Sequence, residues 1–200
     1  MSSRSVAEPL GSVGALPNLL TLFRVGLVPI VVVALFWPTP AGRALAAVLF
    51  FVACVTDFLD GWLARRHGIT ALGKLLDPLA DKLLVAAVVI MLAAVPPEPR
   101  IPAWMAVAIV LREIAVTGLR GIASTGGVVM AAEQLGKYKM IFQMLALEAL
   151  LLHYPWPIPG TGLVVDFHAG GMVFLWVSLV LAIWSAVDYH VRLLRQLKYD

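Results

Sequence analysis

The chain reads as an all-α integral membrane protein of six transmembrane helices, preceded by a short N-terminal juxtamembrane segment. Of its 200 residues 61% are apolar and 14% charged, where a soluble domain carries roughly 45–50% and about 25%. The apolar residues also gather into six stretches of the roughly 20 residues needed to cross a bilayer, separated by breaks that are Pro- and Gly-rich or charged. A single cysteine, Cys54, excludes a disulfide framework and a thiolate zinc site.

Residues 1–17 carry Arg4 but no compact apolar core, so they are expected to lie along the cytoplasmic surface and not to act as a signal peptide. Span one, 19–37, follows Pro17 and Asn18 and ends in WPTPAGR (37–43). Span two, 43–63, holds Cys54, expected as a small buried apolar residue, and runs into the charged stretch ARRHGITALGK (64–74). Span three, 75–95, is closed by VPPEPRIP (95–102), and span four covers 102–122. Span five, 138–153, opens on Lys137 and Lys139 and is closed by HYPWPIPGTG (153–162). Span six, 170–190, leads into a cytoplasmic tail, 192–200, which leaves 18–191 as one six-helix transmembrane domain. Trp37, Trp104, Trp156 and Tyr199 fall near span ends, as in an aromatic belt. His67, His153, His168 and His190 have no metal-ligand spacing and are expected in loops or at interfaces; Glu148, inside span five, has no evident role.

Six spans put both termini on one side. Thirteen of the 15 Lys and Arg lie at or toward that side, leaving Arg43 and Arg100 opposite, so the positive-inside rule makes it cytoplasmic. The net charge of +3 matters less than this placement, and membrane lipids, not nucleic acid, are the expected partners.

Four aspartates stand where spans two and three approach the cytoplasm: Asp57, Asp60, Asp77 and Asp81. Ionisable groups at membrane depth are costly and mark function. Asp57, Gly61 and Arg65 recur every four residues, as do Gly73, Asp77 and Asp81, so each set shares a helix face, and the short loop between them brings the faces together. Four such carboxylates repel one another unless cations intervene, and hard oxygen donors point to Mg²⁺ or Mn²⁺, two ions being the natural number. Gly61 and Gly73 let a bulky anion or a neighbouring helix approach the backbone, and Arg65 presents a planar fork to phosphate. Helix packing with salt bridges such as Asp60–Arg65 or Asp81–Lys82 accounts for any one of these residues, but not for the combined pattern.

The run Asp57-Phe-Leu-Asp60-Gly61-Trp-Leu-Ala64-Arg65, followed after seven residues by Gly73-x3-Asp77-x3-Asp81, resembles the signature of the CDP-alcohol phosphatidyltransferases, with all eight motif positions present in 25 residues. PNLLTLFR (17–24), LREIAVTGLR (111–120) and GKYK (136–139) are similar to bacterial members that use glycerol 3-phosphate as acceptor. The resemblance implies a homodimeric six-helix enzyme of the bacterial cytoplasmic membrane, its active site open to the cytoplasm. It implies that Asp57, Asp60 and Asp77 bind the metals, that Asp81 is the base near the second metal, and that Gly61, Ala64 and Arg65 line the CDP pocket.

The expected reaction is transfer of the phosphatidyl group of CDP-diacylglycerol to glycerol 3-phosphate, giving phosphatidylglycerol phosphate and CMP, with Asp81 taking the proton of the attacking hydroxyl. Arg112 and Arg120, eight apart on span four, and Lys137 and Lys139 at the start of span five form a candidate cradle for the acceptor phosphate; topology alone also explains such cations. Arg24 and Thr21 are placed to reach either phosphate, and Asn18 suits both ligand contact and a helix N-cap. Inositol phosphate and phosphatidylglycerol, the latter as in cardiolipin synthesis, are the alternative acceptors. A divalent-cation transporter is a more remote reading, since its acidic residues would be spread through the bilayer depth and not gathered at one end; HExxH, expected of a metalloprotease, is absent.

Overall fold

The computed structural model describes residues 16–67, 71–95, 100–125, 134–158 and 160–199, without the side chains of 16–18, 60–78, 122, 124–125 and 194–199. Among these residues are six α-helices: α1 Leu16–Leu35, α2 Pro40–His67, α3 Ala71–Ala94, α4 Ala103–Thr125, α5 Gln134–Leu152 and α6 Phe167–Tyr199. Two short strands, β1 Pro155–Pro157 and β2 Val164–Asp166, pair antiparallel between α5 and α6.

The helices follow the six expected segments in order but overrun several of them. α2 continues to His67 and α6 to Tyr199, so most of the expected tail is a continuation of the last helix. Backbone hydrogen bonding does not stop where the apolar pattern stops. α5 ends at Leu152, which places His153 in the connector. Among the described residues, Pro40–Leu59 and Phe167–Leu193 are long and apolar enough to cross a membrane, and α1 holds a shorter apolar stretch, Leu19–Leu35. α4 and α5 carry Arg112, Glu113, Lys139 and Glu148 well within their length.

Local chemistry sets the joints. Thr39 caps α2, its hydroxyl accepting from Gly42 N at 3.1 Å, with Pro40 at the first helical position. A Cβ at Gly42 would stand 2.7 Å from Trp37 O, so this tight α1–α2 turn requires glycine. At the start of α6, Asp166 Oδ1 accepts from Ala169 N at 3.1 Å.

α5 and α6 form the most extensive helix pair; α1 packs on α2 and α3, α2 on α5, and α4 on α3 and α6. At the α5–α6 contact a Cβ on Gly171 would meet Leu150 Cγ at 2.8 Å and Ala146 O at 3.2 Å, so a residue without a side chain allows the backbones their close approach. Phe50, Val88, Met105, Leu147, Leu151 and Leu175 are fully buried in the shared core.

At the end of the bundle away from the aspartates, Arg43 and Arg100 are both buried. Arg43 Nη1 donates to Leu35 O at 2.8 Å, Arg100 lies 5.6 Å from the Tyr154 ring centroid, and Tyr154 OH donates to Pro38 O at 3.3 Å. His153 and His168, expected as separate loop or interfacial residues, instead bring their Nδ1 atoms to 3.1 Å. Burial, with Arg100, His168 and Arg43 alongside, pushes the His153 imidazole down to about 4.

Candidate active site

α1, α2, α3 and α5 place one cluster of charge at one end of the bundle. Arg24 of α1 is 1% exposed, and its Nη1 lies 2.7 Å from Asp57 Oδ1 on α2. The helical spacing of Thr21 and Arg24 puts both on the inner side of α1, where Thr21 is also fully buried. Arg24, Asp57 and Asp81 line a single cleft of about 300 Å³, whose remaining walls include Cys54, Phe58, Ile141 and Leu145. Cys54, expected to be buried, is half-buried at the cleft wall, with Sγ 3.5 Å from Met144 Sδ.

Next to this cleft, and sharing Asp81 and Met144 with it, a cavity of about 20 Å³ is lined by Asp81, Lys82, Glu113, Lys139, Gln143 and Met144 among others. Here α4, α5 and α6 are tied by charge. Lys139 Nζ lies 2.5 Å and Arg112 Nη1 3.0 Å from Glu113 Oε1. Arg112 also donates to Ala182 O at 3.1 Å through Nε and to Ser185 Oγ at 2.6 Å through Nη2. Two cations share one carboxylate, because an isolated charge removed from water is far more costly than a paired one. The network therefore keeps one net positive charge beside Asp81.

The expected acceptor cations thus fall into two groups. Arg112 and Lys139 are brought together inside the bundle. Lys137 is exposed, and Arg120 is exposed with its guanidinium 5.7 Å from the Tyr189 ring centroid. Lys82 donates to Thr117 Oγ1, a different partner from Asp81. Asp60, Gly61, Ala64 and Arg65 fall on α2, Asp77 on α3 and Asn18 on α1, but their side chains lie outside the described residues.

The described donors suit a divalent cation. Asp57 and Asp81 offer hard anionic oxygens to one cleft, the donor class of Mg²⁺ and Mn²⁺. Among the described residues no three His, Cys, Asp or Glu side chains converge on a metal-sized site, and a complete donor set calls on Asp60 and Asp77 as well.

Gln143 is a further polar side chain at this site that its sequence pattern did not single out. It is 2% exposed, and its Nε2 has no hydrogen-bond partner among the described residues. The available signal was its position one helical turn after Lys139 in an apolar span, where a polar side chain needs a reason.

The family model for CDP-alcohol phosphatidyltransferase matches residues 14–184. A CDP-diacylglycerol–glycerol-3-phosphate 3-phosphatidyltransferase of Bacillus subtilis (strain 168) is 39% identical over 188 residues, covering 87% of this chain and 92% of its own. One of the same name from Rickettsia bellii (strain RML369-C) is 36% identical over 175 residues, with 87% and 92% covered. A cardiolipin synthase (CMP-forming) of Oryza sativa subsp. japonica is 37% identical over 186 residues, covering 87% of this chain and 56% of the rice protein. A motif complete in every position, two of its aspartates in one cleft and a family match over most of the sequence lead to one conclusion: the chain belongs to the CDP-alcohol phosphatidyltransferase family.

Proposed function

We propose that this protein transfers the phosphatidyl group of CDP-diacylglycerol to glycerol 3-phosphate, releasing CMP, in the cytoplasmic membrane of a bacterium with both termini and the active site cytoplasmic. The observation that carries the reading is the cleft shared by Arg24, Asp57 and Asp81, charged at one end and walled by lipid-compatible side chains along the rest. Such a cleft suits a substrate with a pyrophosphate head and acyl tails. The relatives bearing the 3-phosphatidyltransferase name support the choice of acceptor.

Asp57, Asp60, Asp77 and Asp81 are the residues that would hold the metal, as two Mg²⁺ or Mn²⁺ ions. A divalent metal held by these carboxylates would supply positive charge against the pyrophosphate and the departing CMP. Gly61, Ala64 and Arg65, with Asn18 and Thr21, receive the CDP moiety. Arg24, buried in the bundle, holds Asp57 in place and supplies positive charge within the cleft. Asp81 accepts the proton of the acceptor hydroxyl as that oxygen attacks the β-phosphorus. Arg112, Arg120, Lys137 and Lys139 set a positive field that draws the acceptor phosphate. The six helices are read as six crossings, and the protein as a homodimer among membrane lipids.

The test uses purified protein with CDP-diacylglycerol, Mg²⁺ and a panel of glycerol 3-phosphate, inositol phosphate and phosphatidylglycerol, with products identified by mass spectrometry. Phosphatidylglycerol phosphate formed only with glycerol 3-phosphate, abolished by EDTA and restored by Mg²⁺ or Mn²⁺, is the expected result. Cardiolipin from phosphatidylglycerol would move the assignment toward the rice relative's named activity, and turnover in chelator would remove the metal.

A further inference from the structure

Among the described residues Gln143 is a buried amide in the charged end of the bundle, and the cavity it lines is small. At 2% exposure its Nε2 group is cut off from bulk solvent, and it has no hydrogen-bond partner among the described residues. Leaving such a donor unmet costs free energy comparable to a lost hydrogen bond. Around it stand Asp81 of α3, Glu113 of α4, and Lys139 one turn earlier on its own helix, with Met140 and Met144 closing the sides.

Volume decides what such a space admits. A cavity needs roughly 10–15 Å³ of this kind of space to hold one water, which must find two to four polar partners. The cavity has about 20 Å³, enough for a single water and far too little for a phosphate or a polyol. The lining offers a water the amide of Gln143, the ammonium of Lys139 and two carboxylates.

We propose that Gln143 is a positioning residue for Asp81, acting through one buried water that accepts from the Gln143 amide and donates to the Asp81 carboxylate. Lys139, clamped by Glu113 at 2.5 Å, forms the fixed wall against which the water sits. The arrangement steadies a carboxylate that also lines the cleft with Arg24 and Asp57. The inference rests on the reading of Asp81 as the base.

The experiment is steady-state kinetics on the purified full-length protein in detergent, with CDP-diacylglycerol, glycerol 3-phosphate and Mg²⁺. Gln143→Met keeps the length and removes the donor, and Gln143→Leu, which removes it in a shorter side chain, serves if the methionine variant does not fold. The expected result is a kcat lower by about 10-fold, the loss typical of one hydrogen bond to a charged group relayed by water, with both KM values within about twofold of the parent. In an Asp81→Asn background Gln143→Met should cost nothing more. An unchanged kcat, a loss that multiplies with that of Asp81→Asn, or a rise in the KM for glycerol 3-phosphate at constant kcat each overturns the proposal. Full turnover by Asp81→Asn alone would instead remove the base reading, and this inference with it.

Discussion

At the residue scale the charged groups near Asp81 are distinguished by what surrounds them. Asp81 opens on the cleft and has no counterion at hydrogen-bond distance among the described residues, whereas Asp57 is held by Arg24 at 2.7 Å. Replacing Asp81 by Asn keeps the shape and removes the proton acceptor. Turnover should fall at least the roughly 100-fold of a lost general base while CDP-diacylglycerol binding, read by equilibrium dialysis of labelled substrate, is retained; parallel loss of both would make Asp81 chiefly a metal ligand. Among the cations, Arg120 is exposed and free to meet a soluble phosphate, so Arg120→Gln should raise the KM for glycerol 3-phosphate by about 10- to 150-fold, the value of a charged hydrogen bond. Arg192, exposed and paired with Asp188 at 2.7 Å one turn away, is the control, and Arg192→Gln should leave that KM unchanged. Equal effects from both would make Arg120 part of the positive-inside surface only. The aspartates stood out in the sequence because their spacing is a local property of two helices. The Lys139 arm of the Glu113 clamp was not legible there, because it approaches from 26 positions along the chain, and Gln143 matters through a cavity that only packing creates.

At the element scale the order and kind of the helices followed from apolar length alone, and the joints did not. The break HYPWPIPGTG was readable as a break, but β1 and β2 within it arise from pairing Trp156 with Val165 across the turn, which proline-rich composition conceals. The α5–α6 joint is the most sensitive to size. Gly171→Leu must push Leu150 or the α5 backbone aside, and such overpacking should cost about 1–3 kcal/mol, read as a lower thermal unfolding midpoint in detergent; an unchanged midpoint would show that the joint has room. The connector beyond α5 should respond to acid. His153 binds a proton near pH 6.5 when unfolded and only near 4 when folded, so the unfolded state gains protons first and stability should decline as pH falls from about 6.5 to about 4, while staying level above that window. Thermal midpoints across this range test the point, and His153→Gln should flatten the profile.

At the scale of the whole molecule, the surface is greasy where a soluble protein's would be polar. Phe51, Phe58, Ile114, Leu145, Val180 and Trp184 are all largely exposed, while Arg24, Arg43 and Lys139 are buried, the reverse of the usual partition in water. Composition had announced that reversal; it did not announce where the surface opens. The cleft that holds Asp57 and Asp81 is bordered by Phe58, Ile141 and Leu145, which are 70%, 55% and 48% exposed, an apolar rim that would open sideways to acyl chains once the bundle sits in a bilayer. A lipid donor then arrives by diffusing in two dimensions, and what the enzyme senses is crowding within a sheet, a mole fraction, and not molarity in a volume. With CDP-diacylglycerol and protein held constant, added inert detergent should slow the reaction in proportion to the dilution of the donor within the micelle surface, whereas glycerol 3-phosphate, arriving from water, should keep an unaltered KM. A rate indifferent to detergent would mean that the donor is taken from solution, and the sideways opening would have no part in its capture.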